Sequence, residues 1–213
     1  MLSTFFHTFS TAMPGYQFMW IILFFGVIAV AVAIERIIYI WVRSNVNADR
    51  FMAEIRKLVT AGDFKKAVAI CRTAGKKALP HVVLRALEEA ERMEIIDFRA
   101  VQNAVDEAAL EVIPKLGNRI GYLAVIGNLA TLTGLLGTIF GLIMSFQAAG
   151  AAGGGAEALS QGIAIAMFTT LWGLIVAIPA IAVYSLINAK ANSLVDDIDE
   201  HSVKLIHLLT GSR

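Results

Sequence analysis

Hydroxyl side chains occupy a stretch of this chain that is almost empty of charge. From Ile120 to Ala189 the only charged residue is Glu157, in a Gly/Ala-rich gap between two apolar runs. The first run carries Thr131, Thr133, Thr138 and Ser145, and the second carries Thr169, Thr170 and Ser185. A hydroxyl can both donate and accept a hydrogen bond. A carboxylate at the centre of a bilayer costs roughly 2.5–3.5 kcal/mol on insertion scales, and a hydroxyl is much cheaper. These side chains could therefore line a path for an ion or for water. They could equally serve packing, because small residues let membrane helices approach closely and Thr can bond its own i−4 carbonyl.

Spacing does not separate the two readings. Thr131, Thr138 and Ser145 recur every seven residues, nearly two turns, and so share a helix face. Gly134 and Gly141 lie beside them, and Gly137 and Gly141 form a small-xxx-small pair. Gly162, Ala166, Thr170, Gly173, Ala177 and Ala180 follow i+3 and i+4 steps along a second face. Two such faces should meet each other or a third helix. Pro179 removes one backbone donor within the second run and frees the carbonyl of Ile175, either as a simple kink or as a point of flexure.

The rest of the composition narrows the class. Of the 213 residues, 57% are hydrophobic and 16% charged, against about 25% charged in average soluble domains. A net charge of +1 gives no basic excess to meet nucleic-acid phosphates. The lone Cys71 excludes an internal disulfide. His7, His81, His201 and His207 are scattered without metal-ligand spacing, so no metal or other cofactor is expected. Gly75-Lys76-Lys77 lacks the hydroxyl of a phosphate-binding loop. No catalytic triad is legible, and the chain does not read as an enzyme.

The elements that must position the hydroxyls follow from hydropathy. The fold class is all-α membrane protein with three crossings. Residues 16–42 form the first, bracketed by Tyr16, Phe18 and Trp20 at one end and Tyr39 and Trp41 at the other. Tyr16 to Tyr39 spans about 34 Å of helix, enough for a hydrocarbon core of ~30 Å. Glu35 and Arg36 near its end read as side chains that snorkel to the interface or meet a partner. Residues 120–147 and 162–187 are the second and third crossings, joined by the Gly/Ala loop 148–161.

Residues 43–119 hold fourteen of the eighteen Lys/Arg and eleven acids, and read as amphipathic helices. Gly62 ends one, Asp63 caps the next and Gly75 ends that. Pro80 suits a first helical turn, and Asp97 caps a long helix with Val101, Val105, Ala108, Val112 and Leu116 on its apolar face. No Gly-rich stop follows, so this helix is expected to continue into the second crossing, with Pro114 as a point where it can bend. Residues 188–213 read as a short amphipathic tail helix. By the positive-inside rule, 43–119 and the tail lie in the cytoplasm, while 1–15 and the loop 148–161 lie outside.

Gly134-Leu135-Leu136-Gly137-Thr138-Ile139-Phe140-Gly141-Leu142, followed by Ser145-Phe146, resembles a signature of the ExbB/TolQ/MotA proton-channel family. Gly162-Ile163-Ala164, then Thr170, Gly173-Leu174 and Ala177-Ile178-Pro179-Ala180, resembles a second. Three crossings with the large polar part after the first look like the ExbB/TolQ branch. The resemblance implies a homo-pentameric ring in the bacterial inner membrane, its last two helices lining a pore and extending into the cytoplasmic helical domain. It implies an ExbD/TolR-like single-pass partner, two copies in the pore, carrying the Asp that takes the proton. It also implies work on the cell envelope or outer membrane, with a TonB-like energy transducer as a further possible partner. By motif match Thr138 and Thr170 are the pore threonines, and Thr131 is a further candidate. Two positions depart from the family: Ile165 stands where a Glu is usual, which removes an ionisable group from the expected pore wall, and Ala130-Thr131-Leu132-Thr133 replaces Ala-Pro-Leu-Leu. A structural scaffold or a Na⁺-driven stator would carry a similar sequence.

Overall fold

The computed structural model describes residues 16–75, 77–93, 95–150 and 155–211. The N-terminal 1–15 and residues 151–154, where outside segments are expected, fall beyond them; the rest of the expected loop 148–161 is helical apart from Gly155. All regular structure among the described residues is helical. Helix α1 covers Tyr16–Ile37, α2 Ala48–Thr60, α3 Phe64–Thr73, α4 Ala78–Arg92, α5 Phe98–Gly117, α6 Ile120–Gly150 and α7 Ala156–Gly211. A π-helical segment, Ile38–Ser44, extends α1. Three stretches are long and apolar enough to cross a membrane, one in each of the regions around α1, α6 and α7.

The chain divides into two compact units. One comprises 16–35 and 119–186, that is, most of α1, α6 and the first part of α7. Here Met19 and Ile22 of α1 are fully buried, and Phe18 stacks at a tilt on Phe140 with ring centroids 5.4 Å apart. Gly26 gives α1 its close approach to α7, since a Cβ there would lie 3.2 Å from Val176. Most other large side chains, Phe24, Val27, Leu132 and Ile178 among them, face outward. Lipid accepts such a surface.

The other unit comprises 36–118 and 187–211. Its helices start and stop where the turn chemistry dictates. Gly62 and Gly75 adopt φ +75° and +72°, the left-handed region that glycine enters without strain. Asp63 caps α3 through Lys66 N at 3.3 Å, and Asp97 caps α5 through Arg99 N at 2.9 Å. Helix α2 packs on α3, α3 on α4 and α4 on α5, and Ile55, Val82, Ala86, Leu87 and Val101 are completely buried. Each fully buried Val, Leu or Ile contributes about 1.5–3 kcal/mol. Ile198, Leu205 and Leu209 of α7 belong to the same core. Cys71 is buried there, and loss of water around the thiol pushes its pKa up to about 12, with the Glu88 carboxylate adding to the rise.

Two sequence expectations are corrected. The long helix does not run on into the second crossing. It ends at Gly117, Asn118 is extended, and Arg119 adopts φ +62° before α6 begins. Pro114 and Gly117 both weaken the last turn, by a missing donor and by backbone entropy. The tail is not a separate short helix: α7 is continuous over 56 residues, about 84 Å, with Pro179 inside it.

Glu35 and Arg36 do not read as snorkelling side chains either. Arg36 is buried, donates from Nη1 to the Asn118 carbonyl at 2.9 Å, and lies 4.9 Å from the centre of the Tyr39 ring. Glu35 accepts from Arg119 Nη1 at 3.1 Å. Both side chains therefore tie α1 to the residues at which the backbone breaks.

Candidate functional site

The small-residue stripes of α6 and α7 face each other. Gly127, Ala130, Gly134, Gly137, Gly141 and Ser145 form the buried edge of α6. On α7, Gly162, Ala166, Gly173 and Ala177 are buried against it. The helices touch backbone to backbone. A Cβ at Gly134 would lie 2.9 Å from the Thr169 carbonyl oxygen, and one at Gly173 would lie 2.8 Å from that of Ala130. Any larger residue must push the helices apart.

This close approach sorts the hydroxyls. Thr169 is fully buried and donates to the Ala166 carbonyl at 2.9 Å. Its side chain fills the space that Gly137 leaves, where a Cβ would come within 2.7 Å. Ser145 is buried too, donating to the Gly141 carbonyl at 2.8 Å and packing over Gly162. Thr169 and Ser145 thus serve packing.

Thr138 and Thr170 differ. Both are only partly buried, and their hydroxyl oxygens are in direct contact across the two helices. Thr138 Oγ1 also lies 3.1 Å from the Gly134 carbonyl and 3.3 Å from that of Ala166. Thr170 Oγ1 is 3.5 Å from the Gly134 carbonyl. Four oxygens, two hydroxyl and two carbonyl, therefore gather within a charge-free pair of spans. The two hydroxyls supply two donors, and each retains acceptor capacity.

Thr131 is exposed and donates to its own i−4 carbonyl, Gly127, at 3.1 Å. Thr133 does the same to Leu129 at 2.7 Å. Of the three residues expected on the path, Thr138 and Thr170 come together, and Thr131 bonds within its own helix. The seven-residue spacing explains this. A straight helix drifts about 20° per heptad, so Thr131, Thr138 and Ser145 pass from exposed through half-buried to buried. Spacing places Thr170 on the small-residue face and gives no sign of Thr169; it is the packing partner, Gly137, that makes Thr169 the buried one.

Ile165, at the position where the resemblance has a Glu, is 9% exposed and packs inside the chain. No cluster of three metal-ligating side chains occurs among the described residues.

Three membrane-competent helices among the described residues, two of them packed through glycines around an uncharged hydroxyl pair, define a multi-pass membrane protein. The chain belongs to the MotA/TolQ/ExbB proton channel family, whose model matches residues 74–200. Its similarity to proteins with ExbB and TolQ names places it in the ExbB/TolQ branch. An ExbB-like biopolymer transport protein of Helicobacter pylori is 37% identical over 53% of this chain and 76% of its own length. The biopolymer transport protein ExbB of Aquifex aeolicus is 34% identical over 47% of this chain and 67% of its own. The Tol-Pal system protein TolQ of Haemophilus influenzae is 31% identical over about half of each chain. Among solved structures, a chain of Campylobacter jejuni MotAB superposes over 97% of this chain and 79% of its own with a TM-score of 0.62 at 15% identity, a likeness of fold. The family comprises channel and transport-complex subunits and is not an enzyme class.

Proposed function

We propose that this chain is the channel subunit of a proton-driven motor in the bacterial inner membrane, with its N-terminus outside and its polar helices and tail in the cytoplasm. Five copies form a ring lined by α6 and α7, around single membrane helices of an ExbD/TolR-like partner. The load is a process of the cell envelope or outer membrane. The observation that carries this reading is the meeting of the Thr138 and Thr170 hydroxyls in two spans without charge.

A partner carboxylate that ionises in this setting needs donors nearby. The hydroxyl pair and the water it holds supply them, and an apolar wall suits the protonated form. The carboxylate therefore prefers different positions in its two states, which makes movement depend on proton passage. The membrane potential supplies about 2.3 kcal/mol per charge per 100 mV, so a large mechanical step needs several protons.

The test is proton flux in vesicles holding this chain with its partner. Thr138→Val with Thr170→Val should abolish flux while the complex still assembles. Normal flux in that double variant overturns the hydroxyl assignment. Absence of flux from the unaltered complex supports a structural scaffold instead, and flux of Na⁺ but not H⁺ supports a Na⁺-driven stator.

A further inference from the structure

Beyond the hydroxyl pair, the unit formed by 36–118 and 187–211 contains a polar cavity that the channel reading does not use. Its volume is about 330 Å³, room for about ten waters. Three elements build it. The π-helical extension of α1 supplies Tyr39 and Ser44, the first turn of α4 supplies Ala78 and His81, and α5 supplies Glu111 and Lys115.

The cavity's place in the chain sets the kind of ligand. Tyr39 lies in the last turn of the apolar span Tyr16–Val42, and Ser44 follows two residues after that span ends. Tyr39 and Trp41 are side chains of the kind that sit at headgroup level. The cavity is thus placed at the depth where a bilayer presents phosphates.

Its chemistry is two-signed. Lys115 Nζ and Glu111 Oε1 are 2.9 Å apart, and both side chains are about half exposed. His81 Nε2, sealed from solvent and without a hydrogen bond, lies 3.5 Å from Glu111 Oε2. Ser44 is 4% exposed, and no hydrogen bond of its hydroxyl is seen among the described residues. The α4 N-terminus has no side-chain cap, leaving backbone donors and the positive end of the helix dipole on the same side. A phosphate could take donors from Lys115, His81, Ser44, Tyr39 and the start of α4. Glu111 would oppose a simple anion but would accept from an ammonium.

We infer that this cavity binds the headgroup of a zwitterionic aminophospholipid, the phosphate on Lys115, His81 and Ser44 and the ammonium on Glu111. This holds whether or not the hydroxyl pair conducts. The cavity anchors the end of the first span to a lipid of defined chemistry.

The experiment is native mass spectrometry of the full chain, purified in detergent, delipidated and titrated with phosphatidylethanolamine, phosphatidylglycerol or inorganic phosphate. Phosphatidylethanolamine should bind in preference to phosphatidylglycerol. Lys115→Gln should weaken it about tenfold, as loss of a charge-assisted hydrogen bond does. Glu111→Gln should weaken phosphatidylethanolamine while strengthening phosphatidylglycerol, a reversal that general loss of structure would not give. Unchanged phosphatidylethanolamine binding in both Lys115→Gln and Ser44→Ala overturns the site. Equal competition by inorganic phosphate overturns the lipid source, and an unchanged lipid preference in Glu111→Gln overturns the ammonium contact.

Discussion

Gly137→Ala should destabilise the chain far more than the same change at Gly121, an open position of the same helix. A Cβ at Gly137 would lie 2.7 Å from Thr169 Cβ, 2.8 Å from its Oγ1 and 2.9 Å from its Cγ2. Thr169 is fully buried and its hydroxyl is committed to the Ala166 carbonyl, so it cannot rotate away without orphaning a polar group. Overpacking of this kind costs about 1–3 kcal/mol. At Gly121 in the same helix an added methyl would meet no atom within 4 Å, and there alanine should gain up to about 1 kcal/mol from helix propensity. The propensity gain is common to both variants, so they differ by the overpacking cost, about 1–3 kcal/mol. For a chain of this size that corresponds to very roughly 2–12 °C in Tm, at ~2–4 °C per kcal/mol, read by thermal unfolding in detergent. Thr169→Gly removes the obstructing atoms at some cost of its own. The double variant Gly137→Ala with Thr169→Gly should therefore be more stable than the sum of the single changes by about 1–3 kcal/mol. If Gly137→Ala unfolds with Gly121→Ala, or the double variant is simply additive, the close approach of α6 to α7 at this level is wrong.

Other consequences are as direct. Thr131→Val should leave proton flux within about twofold of the unaltered complex, since Thr131 bonds its own helix; a loss matching that of the Thr138 and Thr170 pair would extend the path to Thr131. Asp63→Ala removes the α3 cap and should cost about 0.5–2 kcal/mol, measured by denaturant unfolding; Asp63→Asn should restore most of it. Cys71, with its thiol pushed up to about 12, should resist alkylation at neutral pH until the chain unfolds, because the thiolate is the reactive form. The Lys115 hydrogen bond holds the Glu111 carboxyl below its ordinary value of 4.5, helped by His81. The stabilisation from that pair is complete above pH 4.5 and fades as pH falls through the lower folded-state value. Glu111→Gln should remove that part of the acid dependence in a stability-versus-pH series.

Much of this architecture can be deduced from residue order. Apolar length marks three spans, the first also bracketed by aromatics, because the thickness of a bilayer leaves few alternatives. Gly62, Asp63, Gly75 and Asp97 mark helix boundaries, because left-handed turns and orphan N–H groups demand those residue types. The glycine and alanine stripes identify the faces that must touch, and the motif order identifies the family. Tertiary structure decided the rest. The break at Asn118–Arg119 is illegible in the sequence because Arg is not a turn residue; it is held by Arg36 and Glu35, more than eighty positions away. Thr169 and Thr170 are chemically identical neighbours, and only the empty space at Gly137 makes one a packing residue and leaves the other to meet Thr138. Ile165 stands where the motif has a carboxylate, and only the fold shows that its side chain packs inside the chain. Periodicity records which side chains share a face. Which of them is pressed into a partner depends on the distance between helices, and that distance is a property of the folded pair.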